Sequence, residues 1–179
     1  MELLAHPLSS TIVAAFALGC FLFSAGVFST LSFVEKPVWG LLRSVTSPSA
    51  SDSDSRLIHA QLRRVIDLLP PTMMIAQASA FVLIVAHAWL RDLDVFSLVI
   101  VAVYFAMQGW LVWRLRPVIT AAKAVDSDSG EIGAVRETLR DLLVIHHGGL
   151  AMSIVMAAML VAALLGAGEV GAIDRNVPR

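Results

Sequence analysis

Residues 72–113 read TMMIAQASAFVLIVAHAWLRDLDVFSLVIVAVYFAMQGWLVW, and this stretch decides the fold. It holds two apolar runs, Thr72–Leu90 and Val95–Trp113. Each approaches the ~20 helical residues that cross a hydrocarbon core. Only Arg91, Asp92, Leu93 and Asp94 stand between them, which predicts a tight helical hairpin. In lipid the backbone must satisfy its own hydrogen bonds, and a helix does so within one segment. Outward from the hairpin, Leu8–Val34 and Leu142–Ala167 supply two further runs of spanning length. The expected architecture is all-α: an integral membrane, antiparallel four-helix bundle forming one domain. Its spans are at about 8–34, 72–90, 95–113 and 142–167, with loops at 35–71 and 114–141.

Composition supports this. Of the 179 residues, 58% are hydrophobic and 15% charged, where soluble domains carry about 25% charged residues. There is too little polar surface to cover such a core in water. A net charge of −1 gives no footprint for nucleic acid. The single cysteine, Cys20, excludes an intramolecular disulfide and a cysteine-built metal site. The segment before Leu8 carries Glu2 and no Lys or Arg, so the first run is expected to be a retained span rather than a cleaved signal.

The cationic residues set the expected orientation. Lys36, Arg43, Arg56, Arg63 and Arg64 lie between the first two runs; Arg114, Arg116, Lys123, Arg136 and Arg140 lie between the last two. The hairpin has only Arg91, and the tail has Arg175 and Arg179. By the positive-inside rule both long loops are cytoplasmic and both termini lie on the non-cytoplasmic side of the cell membrane.

Those loops carry local structure. Ser44–Ser55 (SVTSPSASDSDS) reads as a flexible linker. Arg56–Leu69 places Ile58, Leu62, Val65, Ile66 and Leu69 on one face, and Arg63 and Asp67 four apart on another. That is one amphipathic interfacial helix, ended by Pro70-Pro71. Asp126–Gly130 reads as a turn, after which a helix from Glu131 continues into the fourth span.

Polar groups within spans are costly and mark candidate sites. In an antiparallel bundle Glu35, Gln77, Gln108, His146 and His147 fall at one level near the cytoplasmic face. His146 shares a helical face with Gly149, Ser153 and Ala157, a small-residue stripe that admits a neighbouring helix. His147, about 100° away, lies on the side of Arg136 and Arg140. Glu35 shares a face with Phe28 and Ser24, and Gln108 aligns with Tyr104. The catalytic candidates are His146 and Glu35; the substrate-binding candidates are Gln108, Gln77, Arg116 and Tyr104. Each also has a plainer structural reading. His146 can bond at the interface, Glu35 can end a solvated helix, and the two glutamines can join helices. Trp110, Trp113, Arg114 and Arg116 together can anchor the interface. His87, beside Trp89, reads as interfacial. No metal motif is present, because His-x-x-x-His is absent and His87 and His146 lie near opposite faces of a core about 30 Å thick. Ligation of a haem by His146 alone is the one cofactor arrangement left open.

Three short motifs add a resemblance. Gly26–Pro37 (GVFSTLSFVEKP), Trp113–Pro117 (WRLRP) and the histidine at 146 make the chain resemble the anthrone-oxygenase-like family of small four-helix membrane proteins. Leu142, Gly149 and Val118 depart from the residues common there, a tryptophan, an arginine and an asparagine. The resemblance implies an enzyme that removes a proton from an acidic CH2 and lets the resulting enolate meet O2. His146 would be the base, with Glu35 orienting it or itself serving, and Arg116 and Gln108 would hold the oxyanion. The substrate would be a flat, lipid-soluble aromatic or quinone-like molecule.

Three classes of function thus stand at this point: such an enzyme, a non-catalytic membrane subunit or scaffold, and a small transporter. Transport is disfavoured, because the spans lack paired charges and Gly/Pro-broken helices. The expected partners are the lipid bilayer, a lipophilic small molecule and further copies of the chain or a membrane complex.

Overall fold

The computed structural model describes residues 5–173, with side chains for 8–69 and 71–166; Glu2, Arg175 and Arg179 lie outside the described residues. Five α-helices and one 3-10 helix account for nearly all of it, and no strand occurs among the described residues. They are α1 (Ala5–Glu35), the 3-10 helix Lys36–Leu42, α2 (Asp52–Leu68), α3 (Pro70–Leu90), α4 (Val95–Ala124) and α5 (Ile132–Ile173). Four of them (α1, α3, α4 and α5) are long and apolar enough to cross a membrane. Within the most apolar window of each, only 17–28% is buried. Phe16, Met74, Val82, Phe105, Val112 and Leu165 all point outward. So much outward apolar surface suits lipid and would be costly in water.

The hairpin is present. Leu93 N–H reaches back to Ala88 O (2.8 Å) and Asp92 N–H to Trp89 O (3.1 Å), closing the carbonyl end of α3. Asp92 and Leu93 adopt positive φ of 52° and 56° to do so. Asp94 then starts α4 by accepting from Ser97 N–H at 2.8 Å, and Arg91 pairs with it at 2.7 Å. Desolvation pushes the Asp94 carboxyl up, but the Ser97 amide and the Arg91 guanidinium together hold it below its usual value.

The chain divides into two compact units. One takes the described residues up to Ser24, Met74–Met107 and those from Met152 onward. Its core is Ala14, Ala17, Phe21, Ala80, Ile84, Ile100, Tyr104, Met156 and Leu160. Small residues on α1 and α3 let the Phe21 and Tyr104 rings meet edge to face, centroids 6.1 Å apart.

The second unit takes Ala25–Met73 and Gln108–Ala151. Here the structure departs from sequence expectation in three ways. First, the helix that carries the 95–113 span runs on through Arg116 and Pro117 to Ala124, because Val118 and Ala122 find a buried place against α2 and α5. Second, α2 begins at Asp52, capped by Ser51 Oγ, which accepts from Asp54 N–H (3.0 Å). Its apolar face (Ile58, Leu62 and Ile66) is covered by protein, namely Leu139, Leu142 and Leu143 of α5 with Val118 and Ala122 of α4. Third, the Ser44–Ser55 stretch is not a free linker. Arg136 on α5 donates to Val45 O (3.3 Å), Ala50 O (2.6 Å) and Asp52 Oδ1 (2.8 Å), and Ala50 is buried.

Backbone carbonyls at the end of α4 and in the turn after it accept from two arginines of α2. Arg63 donates to Val125 O (3.0 Å) and Lys123 O (3.3 Å), while Arg56 donates to Ser127 O and Asp128 O, both at 2.9 Å. Asp67, four residues after Arg63, pairs instead with Lys123 at 2.6 Å. The expected turn follows, with Asp126 Oδ1 accepting from the amides of Asp128 and Ser129.

Candidate functional site

α1 ends on Glu35, and the 3-10 helix begins one residue later with Pro37 near its start. In helical register Phe28, Ser32 and Glu35 follow one another at four and three residues, a single face. That face meets Leu142, Ile145, His146 and Gly149, another face of the same spacing on α5. The close approach depends on Gly149: a Cβ built there would stand 2.5 Å from Phe28 Cζ. Gly148 performs the same service for α4, since a Cβ there would stand 2.8 Å from the Trp110 ring.

At this junction Glu35 and His146 form a hydrogen-bonded pair through Oε1 and Nδ1. Glu35 is wholly buried, and the His146 side chain keeps 10% of its surface. A carboxylate oxygen accepts, so Nδ1–H of His146 is the donor, and the tautomer that donates there presents its lone pair on Nε2. Phe28 lies beside the imidazole, ring centroids 6.3 Å apart. Oε2 of Glu35 is buried with no hydrogen-bond partner. An unpartnered carboxylate oxygen in an apolar interior is costly, and it is relieved by a donor from a bound molecule or by a shared proton.

His147 has a different task. Its Nδ1 donates to Leu143 O (2.8 Å), so Nε2 accepts from Ser32 Oγ (3.2 Å). Trp39 lies edge-on to the same ring at 5.7 Å and donates Nε1–H to Ser32 O at 3.1 Å. This arrangement ties the 3-10 helix, α1 and α5 together one residue from the pair.

The other candidates separate. Arg116, in the unit that holds Glu35 and His146, is exposed and makes no side-chain hydrogen bond among the described residues. Gln108 belongs to that unit, half-buried and engaged. Gln77 and Tyr104 belong to the other unit. Gln77 donates to Ser24 Oγ (3.0 Å), Ser24 donates to Cys20 O (3.0 Å), and Tyr104 donates to Gln77 O (2.9 Å). There they join α1, α3 and α4. His87, expected at the interface, is 4% exposed, with Nδ1 donating to Ser10 O (3.2 Å) and its Nε2 buried without a partner. Among the described residues no three His, Cys, Asp or Glu side chains stand together as a metal site.

Sequence reasoning missed the Ser32–His147 contact and a third buried histidine, His59. The signal for His59 was present: Ser55, His59, Leu62 and Ile66 recur at four, three and four residues, which puts His59 on the buried face of α2.

Comparison with protein-family models, curated proteins and solved structures returned no match.

Proposed function

We propose that the chain is a multi-pass cell-membrane protein whose Glu35–His146 pair transfers a proton to and from a lipid-soluble, flat aromatic or quinone-like molecule. The carrying observation is Glu35, a wholly buried carboxylate with one oxygen on His146 and the other without a donor. The positive-inside rule places residues 35–71 and 114–141 in the cytoplasm and both termini outside, in an antiparallel four-helix bundle. The pair then sits near the cytoplasmic face, where a ligand dissolved in that leaflet can enter.

Of the chemistries such a pair supports, the anthrone-oxygenase-like resemblance favours one. Nε2 of His146 takes a proton from an acidic CH2, and the electron pair left behind spreads through the aromatic system as an enolate. Dioxygen then serves as the oxidant: the CH2 becomes a carbonyl and water is the second product. Glu35 holds the ring in the productive tautomer and balances the imidazolium that forms. Phe28 offers a flat surface beside it, and of the two oxyanion candidates Gln108 is half-buried while Arg116 is exposed.

A second reading, a non-catalytic subunit that self-associates, is favoured by Ala158, Ala162 and Gly166. They form an outward stripe on α5, and nothing lies within 4 Å of a Cβ built on Gly166. Mass spectrometry of lipophiles co-purified in nanodiscs separates the two. The enzyme reading expects an aromatic lipophile with the wild type and with the exposed control Gln61→Ala, and at least a tenfold loss with His146→Gln. Absence from the wild type, or equal retention by His146→Gln, transfers the lead to the subunit reading.

A further inference from the structure

His59 is completely buried at the middle of α2. Its Nδ1 lies 2.8 Å from Ser127 Oγ in the α4–α5 turn, and its Nε2 lies 3.1 Å from Thr138 Oγ1 on α5. The Thr138 hydroxyl also stands 2.9 Å from Ala134 O and 3.0 Å from Val135 O. Carbonyls can only accept, so its one proton goes into the α5 backbone. Nε2–H of His59 is therefore the donor to Thr138, and Nδ1 is the lone pair that accepts from Ser127. In the neutral ring both nitrogens and the protons of both hydroxyls are satisfied. A second proton, on Nδ1, would make Ser127 Oγ the acceptor and take away the acceptor of its own proton, and Ser127 is itself only 5% exposed.

The charges around the ring oppose that proton as well. On α2, Arg56 and Arg63 flank His59 and are held on the turn's carbonyls. From the end of α4, Lys123 is paired with Asp67. In the turn, the Asp126 carboxylate is taken by two backbone amides, and Asp128 is exposed. On α5, Arg136 is held by Val45, Ala50 and Asp52. No carboxylate bonds to His59 among the described residues. Burial first, and then Arg63, hold the imidazole below its ordinary value of 6.5.

We propose that His59 is the pin of an acid-released latch that holds α2 against the α4–α5 turn and α5. Lifting α2 exposes the ring, which then takes a proton that the latched form excludes. The latch is at full strength above pH 6.5, the ordinary value of the free ring, and weakens as pH falls below it. The weakening stops at the lower value of the latched ring, where both forms are protonated. One proton gives at most about a tenfold change per pH unit, hence up to about 30-fold between neutral pH and pH 5. Release frees the apolar face of Ile58, Leu62 and Ile66 and uncovers Leu139, Leu142 and Leu143 beneath it.

Hydrogen exchange of the full chain in nanodiscs, corrected for the intrinsic pH dependence, tests the latch without any ligand. In the wild type, amide protection across residues 55–66 should fall up to about 30-fold from pH 7.5 to 5.0, while α3 stays unchanged. His59→Gln, which can bond both hydroxyls but cannot titrate, should remove the pH dependence. His59→Arg, permanently charged, should be released at both pH values. Wild-type protection that does not change with pH overturns the proposal, and that measurement needs no variant to fold. A His59→Gln chain that folds and still loses protection in acid overturns it too.

Discussion

Replacing His146 by leucine while Glu35 remains is expected to destabilise the protein by about 3 kcal/mol, the cost of leaving a buried charged acceptor without its hydrogen-bond donor. The size of the effect follows from Glu35, which is 0% exposed and already has one oxygen without a donor. Without His146, neither oxygen would have a partner. Glu35→Leu alone leaves an imidazole that has lost one acceptor, which costs about 1–3 kcal/mol. The double replacement should be milder than His146→Leu by itself, since two apolar side chains can fill the Phe28–Gly149 junction without a stranded charge. Unfolding free energies of the four proteins in detergent give the coupling directly. Additive losses would mean that the two side chains do not interact in the folded protein.

Arg136→Met should be the next most damaging change, at about 2–3 kcal/mol, the worth of charge-assisted hydrogen bonds lost at partly buried acceptors. The bond to Ala50 O matters most, because Ala50 is 1% exposed and sits in the core of its unit. The pair with Asp52 contributes little, since that carboxylate is largely in the open. Limited proteolysis should show the consequence locally. Cleavage within residues 44–51 should speed up in the variant, while the α3–α4 turn at Arg91–Asp94 stays as resistant as before. Equal cleavage in variant and wild type would contradict the role assigned to Arg136.

The four long helices were legible because lipid demands unbroken apolar length, and Thr72–Trp113 shows two such lengths with four residues between them. The Glu35–His146 pair was legible in part. Depth and helical facing selected both residues, although 111 positions separate them. Gln77 was grouped with them by depth alone. Depth carries no rotational information, and Gln77 bonds to Ser24 and Tyr104 in the other unit. The run of α4 beyond the 95–113 span was not legible, because Arg114, Arg116 and Pro117 mark an exit from the apolar stretch and say nothing of where the helix ends. Nothing local to those residues says that Val118 and Ala122 find a partner helix beyond. The arginine contacts were invisible for a different reason. Arg56, Arg63 and Arg136 bind backbone carbonyls, which every residue possesses, so no side-chain pattern marks the acceptor.

The central claim, that Glu35 and His146 act together as a proton-transferring pair on a lipophilic carbon acid, is tested most directly by solvent deuterium exchange. An anthrone in nanodiscs holding the wild type should take up deuterium at its CH2 faster than in empty nanodiscs. His146→Gln should lose about 100-fold or more of that acceleration, the usual worth of a positioned general base, and Glu35→Gln should lose a smaller part while retaining the fold. Exchange no faster than in empty nanodiscs, or equal in wild type and folded His146→Gln, would contradict the claim.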